Sequence, residues 1–315
     1  MLSVIIPAYN EEEMVEKAAI EIGRVLSAND ISHELIFVDD GSGDRTWEKL
    51  RDRAKIQKEV RGLHFSRNFG KEAAIMAGLT ASRGDCCVVI DCDLQHPPEK
   101  IVEMYSLWQQ GYEVIEGRKS SRGREGIVRS HMVKGFYSVI SAATGFDMSA
   151  ASDFKLLDRK AVDVLIGMPE RNAFFRALSS WVGFNSTYVE FDVREREAGE
   201  SKWSTSALAK YAVSNISSFS AAPMQIVTVL GVVMFVISVI LGVIALVQKI
   251  SGQALEGFTT VILIQLFSSS IVMISLGVIG YYIARIYEEI KGRPRYIIAG
   301  RCGGQDDEGT DKKAL

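Results

Sequence analysis

Cysteine and proline are scarce in this sequence, four of one and six of the other in 315 residues. Cys86, Cys87, Cys92 and Cys302 have neither zinc-ligand spacing nor a disulfide rationale, and they fit a reducing compartment. The pair 86–87 lies in an apolar run and reads as core. An excess of one charge is missing too. Lys plus Arg is 36 and Asp plus Glu is 39, a net charge of −3, which argues against a general nucleic-acid binder. No GxxxxGK[ST] loop occurs. Residues 41–46 (GSGDRT) begin like a dinucleotide fingerprint, but Thr46 stands where the last Gly belongs. His64, His96 and His131 lack metal-ligand spacing. With 47% apolar residues the chain is neither disordered nor fibrous. The start, MLSVIIPAYN, has no basic region before its apolar run, so no signal peptide is expected.

Charge is absent altogether from 211–248 and from 257–284. Each stretch exceeds the roughly 20 apolar residues needed for a helix to cross a bilayer, and the expected spans are 226–247 and 259–284. Lys249 stands alone between them, whereas Arg285, Lys291, Arg293, Arg295 and Arg301 follow the second and Lys202 and Lys210 precede the first. The positive-inside rule then puts the soluble part and both termini in the cytoplasm of a multi-pass cell-membrane protein. The expected divisions are a soluble domain over 1–205, an interfacial helix or linker over 206–223, a two-helix anchor over 224–284 and a cytosolic tail over 285–315, with 303–315 disordered.

Within the soluble part, strands are expected at 2–7, 33–38, 62–65, 86–90, 114–116, 150–157 and 188–194. Helices are expected at 11–26, 46–57, 71–81, 97–110, 128–143, 159–167, 173–182 and 206–219. This alternation predicts an α/β fold with a mostly parallel sheet, whose ligands bind at the carboxyl ends of the strands. The polar clusters fall there. Asp91 and Asp93 flank Cys92 after the fourth strand, and Gln95 adds an oxygen. Such a pair either shares a hard cation such as Mg²⁺ or Mn²⁺, with substrate phosphates completing the shell, or is a solvated acidic turn. Asp39 and Asp40 end the second strand, where a carboxylate can bond ribose hydroxyls or a base edge. Arg118, Arg122, Arg124 and Arg129 form one basic group and Arg194, Arg196 and Lys202 another, around Gly199, Glu200 and Ser201. Arginine suits phosphate, and Arg122–Arg124 suits anionic lipid headgroups equally. Asp153, alone among uncharged neighbours, is either buried and paired or catalytic.

With those residues in view, the chain resembles family 2 glycosyltransferases of the GT-A fold. Within them it is most similar to membrane-anchored polyprenyl-phosphate enzymes, above all bacterial undecaprenyl-phosphate (bactoprenol) glucosyltransferases, with dolichyl-phosphate mannose synthases as kin. The matching stretches are VIIPAYNEE at 4–12, VDDGSGDRT at 38–46, SRNFGKEAAIMAGL at 66–79 and DCDLQHPPE at 91–99. They continue with SDFKLLDR at 152–159, MPERNAFFRALSSWVG at 168–183, REAGESKW at 196–203 and RPRYII at 293–298.

The resemblance implies a GT-A domain followed by two C-terminal transmembrane helices, and transfer of a sugar from a nucleotide sugar to polyprenyl phosphate with inversion. UDP-glucose is the first expectation for the donor; GDP-mannose or a UDP-linked aminopentose is the alternative, and a non-catalytic nucleotide-sugar-binding scaffold the rival. Pro7, Tyr9 and Glu11 would cradle the base, with Val38 and Asp40 at base and ribose. Asp91, Asp93 and Gln95 would hold Mg²⁺ or Mn²⁺. Cys92 belongs to the donor stretch with its side chain turned from the metal. Arg118 would face the donor phosphates or sugar, and Arg129, Arg196, Ser201 and Lys202 the acceptor phosphate. Asp153 matches the family's candidate base, although a phosphate nucleophile, already anionic near neutral pH, hardly needs one. A homo-oligomer such as a tetramer and a downstream flippase complete the expectation. Where relatives often carry Glu in the second membrane helix, this chain has Tyr281.

Overall fold

In the computed structural model the chain divides into two units, Met1–Ser204 with Arg293–Leu315, and Thr205–Gly292. The structure describes residues 1–120, 152–168, 175–192, 222–251 and 257–304. The helices expected over 128–143 and 206–219, the basic residues Arg122, Arg124 and Arg129, and the 196–203 loop with Arg196, Ser201 and Lys202 lie outside them.

The first unit opens with β1 (Leu2–Ala8), α1 (Val15–Ala28), β2 (His33–Asp39), α2 (Thr46–Ile56), β3 (Val60–Phe65), α3 (Lys71–Ala81) and β4 (Cys86–Val89). It continues with α4 (Glu99–Gln109), β5 (Val114–Lys119), β6 (Lys155–Asp158), α5 (Arg159–Gly167), α6 (Phe175–Trp181) and β7 (Ser186–Phe191). The described strands, with β8 (Ile298–Cys302), make one sheet in the order β7-β5-β6-β4-β1-β2-β3-β8.

β1 pairs in parallel with β2 and β4, and β2 with β3. These central strands are near-continuous apolar runs because both faces of a parallel sheet are covered by helices. α1 covers one with Val15, Ala18, Ala19, Ile22 and Leu26, all buried at helical spacing. α3 comes so near the sheet that a Cβ on Gly78 would stand 2.2 Å from Ile5 Cγ2. Four pairings are parallel and three antiparallel, so the sheet is mostly parallel as expected.

Strand ends differ where tertiary partners decide them. β5 runs on to Lys119 because β7 pairs with it in parallel through Lys119↔Phe191. β6 is shorter than 150–157 and lies antiparallel between β4 and β5. α1 starts at Val15 rather than Glu11; ahead of it Glu11 and Glu12 donate their backbone N–H groups to Thr46 and Asp44. The largest departure is β8. The stretch after the second apolar helix, expected as a tail, contributes an edge strand antiparallel to β3. Tyr296 stacks on Phe65 with centroids 5.2 Å apart, and Cys302 Sγ fills the space left by Gly62.

The second unit contains α7 (Ala222–Ile250) and α8 (Phe258–Ile290). Both outrun the apolar cores expected at 226–247 and 259–284. Within α8, Phe267–Tyr287 is long and apolar enough to cross a membrane; in α7 the apolar run Val229–Ile244 is shorter. Among the described residues there is therefore one candidate span where two were expected. Apolar side chains such as Phe235, Val239, Met273 and Ile283 are exposed along both helices.

Candidate active site

The sheet order reverses between β1 and β4, the switch point at which open α/β sheets bind ligands. Two loops meet beside it. After β1, Asn10 donates its backbone N–H to Ser42 Oγ at 2.9 Å and accepts from the Gly43 N–H at 2.9 Å. Gly41 takes φ +65°, and a Cβ there would run into the Arg67 backbone at 2.4 Å. Asp39, fully buried, accepts from the Ser42 N–H and pairs with His64 Nδ1 at 2.6 Å, while Trp47 stacks on that imidazole. Asp40 accepts the Phe69 N–H at 2.6 Å and the Gly70 N–H at 2.9 Å, one on each oxygen. Burial pushes the Asp40 carboxyl up against those two bonds. Asp40 thus fastens the entry to α3. Val38 is fully buried, Pro7 and Glu11 are half-buried, and Tyr9 is exposed.

After β4, Asp91 and Asp93 are half-buried. Leu94 takes φ +54°, and the Gln95 N–H turns back to Asp93 Oδ1 at 3.1 Å. Cys92 packs into the core, where burial pushes its thiol far up. His96 stacks on Phe154 at 5.0 Å and meets Phe191 edge-on; burial pushes the pKa of its imidazole down.

Asp153 is the hub. Its carboxylate takes Arg176 in a two-point bond, Nε at 2.6 Å and a terminal nitrogen at 2.8 Å. Lys71 Nζ reaches Asp153 Oδ2 at 2.8 Å and Asp91 Oδ1 at 2.6 Å, so one ammonium joins the two carboxylates. Burial alone would raise the Asp153 carboxyl, but the charges and bonds of Lys71 and Arg176 win and hold it well below the usual carboxylate range. Burial likewise opposes the Lys71 ammonium, and the two aspartates override it. Next to Lys71, Glu72 accepts the Phe175 N–H at 2.9 Å, which joins α3 to α6. Burial, together with the nearby Asp153 charge, pushes its carboxyl up to about 7.

A second ion pair supports the first. Lys155, fully buried in β6, pairs with Glu116 at 3.0 Å and donates to Ser179 Oγ at 3.0 Å and to the Arg176 carbonyl at 3.2 Å. It thereby sets the turn of α6 that carries Arg176. Glu116 also pairs with Arg118 at 3.2 Å, and the Arg118 guanidinium lies 4.3 Å over the Tyr188 ring.

The structure therefore brings Asp91 and Asp153 together through Lys71, a residue the sequence reading passed over. Glu72, Arg176, Lys155 and Glu116 were missed as well. Lys71, Glu72 and Arg176 stand inside stretches that carried the resemblance, and Lys155 is a charge in a buried strand, a signal in its own right.

Among the described residues no three His, Cys, Asp or Glu side chains converge on one point as a closed metal site. The donor set fits a hard divalent cation nonetheless. Two carboxylates two residues apart suit an ion that keeps waters and takes substrate phosphate oxygens, and Asp91 already holds a positive group at 2.6 Å.

Comparison with known proteins agrees with this architecture. Residues 3–165 match the model of glycosyl transferase family 2. The chain is 39% identical to the uncharacterized glycosyltransferase YkcC of Bacillus subtilis over 96% of this chain and 94% of that protein. It is 34% identical to the bactoprenol glucosyl transferase of Shigella phage SfX, over 95% and 99%. Glucosyl-3-phosphoglycerate synthase of Mycobacterium tuberculosis, solved with Mn²⁺, UDP-glucose and phosphoglyceric acid, matches at TM-score 0.47 and 20% identity, over 69% of this chain and 79% of that one. This last likeness is too slight to bear on the site. The mostly parallel α/β sheet is GT-A-like. The chain belongs to glycosyl transferase family 2 and is a glycosyltransferase.

Proposed function

We propose that the enzyme moves glucose from UDP-glucose to the phosphate of undecaprenol, with inversion at the anomeric carbon. The observation that carries the reading is the double ion pairing of Asp153 beside Asp91. A carboxylate held this far below its usual range is a poor proton acceptor, and an acceptor that is already an anionic phosphate needs none. Lys71 and Arg176 set two positive charges against those of Asp153 and Asp91, and a divalent cation shared by Asp91 and Asp93 would leave that corner with a positive excess, which favours a phosphate. Relatives named bactoprenol glucosyl transferase, matched over nearly the whole chain, support the choice of lipid and sugar.

In this reading Tyr9 stacks on the base, with Pro7, Glu11 and Val38 around it, and Asp40 holds the loop that shapes the pocket. Arg118 faces the donor phosphates or sugar. Asp91, Asp93 and Gln95 hold Mg²⁺ or Mn²⁺, which when bound supplies charge to the leaving diphosphate. Asp153 orients the acceptor or offsets positive charge developing at the sugar, and Arg129, Arg196, Ser201 and Lys202 grip the acceptor phosphate. Helices over 226–247 and 259–284 span the cell membrane with the catalytic unit and both termini cytoplasmic. The enzyme works as a homo-oligomer, and its product leaves through a flippase.

The test is a transfer assay with purified protein in detergent, undecaprenyl phosphate and Mn²⁺ or Mg²⁺, offering radiolabelled UDP- and GDP-sugars in turn. Label from UDP-glucose alone should enter the lipid phase and vanish in Asp93→Ala. Label from a GDP-sugar instead would overturn the donor. No label from any donor, with nucleotide still bound, would overturn the acceptor.

A further inference from the structure

Lys71 and Arg176 both neutralise Asp153, but they are held differently. Arg176 makes two parallel contacts to Asp153 and its side chain is 28% exposed. Lys71 makes single contacts to two carboxylates, and its side chain is 40% exposed. A guanidinium in a two-point bond is fixed, whereas an ammonium on a four-carbon stem is a movable point charge. Asp153 keeps its Arg176 pair whether or not Lys71 stays close. Asp91 has Lys71 as its ion-pair partner among the described residues.

We propose that the Lys71 ammonium is a built-in competitor for the Asp91 carboxylate. It occupies Asp91 while no divalent cation is bound. With a cation held there, Lys71 would give up Asp91 and keep its Asp153 contact alone, where its charge faces the incoming acceptor phosphate. The exchange replaces one positive charge at Asp91 by two, so it runs forward when the cation arrives with a diphosphate to share it. Loading of the donor side thereby completes the acceptor side. The inference rests on the reading of Asp91 as a cation-holding carboxylate.

The test measures Mn²⁺ affinity of the full-length protein in detergent, by calorimetry or by the electron-spin signal of free Mn²⁺, with neither donor nor acceptor present. Asp91→Asn should weaken binding severely. Lys71→Met should bind Mn²⁺ at least about fivefold more tightly than wild type, the effect of removing one cation at about 4 Å even in bulk water. Lys71→Arg, which keeps the charge, should stay near wild type. If Lys71→Met fails to fold, Lys71→Gln carries the same expectation. Unchanged or weaker Mn²⁺ binding in Lys71→Met, with Asp91→Asn still defective, overturns the exchange alone. A rise of equal size in Arg176→Met would mean that any nearby cation has this effect, and overturns it too. If Asp91→Asn binds Mn²⁺ like wild type, the reading of Asp91 falls and takes the exchange with it.

Discussion

Glu72 gives the sharpest quantitative test of the site's electrostatics. Its carboxyl moves from an ordinary 4.5 to about 7 on folding, through burial first and the Asp153 charge second, despite the bond from the Phe175 N–H. Below pH 4.5 both the folded and the unfolded chain hold the proton, and the side chain carries no penalty. As pH rises toward 7 the unfolded chain releases its proton first and gains on the folded one. Above about 7 the penalty is complete. The gap between 4.5 and about 7 corresponds to about 3 kcal/mol at 1.36 kcal/mol per pH unit. Glu72 keeps some contact with water, so roughly half of that, about 1.5 kcal/mol, is the expected effect. Glu72→Gln removes the ionisation and keeps a carbonyl oxygen for the Phe175 N–H. Its melting temperature, followed by intrinsic fluorescence in detergent, should come close to that of wild type at pH 4, where both chains hold the proton. At pH 8.5 it should exceed wild type by about 3–6 °C. Parallel curves across that range would show that Glu72 titrates as an ordinary carboxyl, and the electrostatic account of the cluster would be wrong.

Asp40→Asn puts an NH₂ against a backbone N–H donor. It should cost about 1.5–3 kcal/mol in unfolding stability and raise the KM for donor, by loosening the entry to α3. An unchanged melting curve would refute the fastening role. Asp153→Asn leaves Lys71 and Arg176 against a neutral amide and should lower turnover. The pH profile of whatever turnover survives should keep its wild-type shape, since the native carboxyl is ionised throughout any usable range; a lost acid limb would restore Asp153 as a base. Gly78→Ala drives a methyl into Ile5 and should destabilise by about 1–3 kcal/mol. Ile5→Ala combined with it should cost clearly less than the sum of the two single changes, and simple additivity would mean that the contact is not the cause.

The central sheet was legible because each strand there is its own signal. LSVIIPA, HELIFVD and CCVV each carry a near-continuous apolar run, and a strand buried on both faces needs little else. α3 was legible to the residue, since KEAAIMAGLTA joins strong helix formers to an open Gly at its start. The acidic pair after β4 was legible from its position. The ion-pair cluster was not. Lys71 and Asp153 lie 82 residues apart and Arg176 another 23 beyond, and no local pattern encodes a pairing made by packing α3, β6 and α6 together. Asp40 carries a second role that its position at a strand end did not reveal: each of its oxygens accepts a backbone N–H from the loop before α3. β8 escaped because a five-residue edge strand with Gly and Arg in it has little alternation to read.

That edge strand changes the order in which the molecule can be finished. Its partner, β3, is synthesised before residue 66, but β8 emerges only after α7 and α8 have been made. Until then the rim of the sheet along β3 stays open, with unpaired backbone groups able to recruit another chain. The apolar helices are thus an insertion within the sheet-forming sequence rather than an appendix to it. A nascent chain stalled within α8 carries an unsealed sheet, and closing the seam reports that the whole apolar segment has already been made.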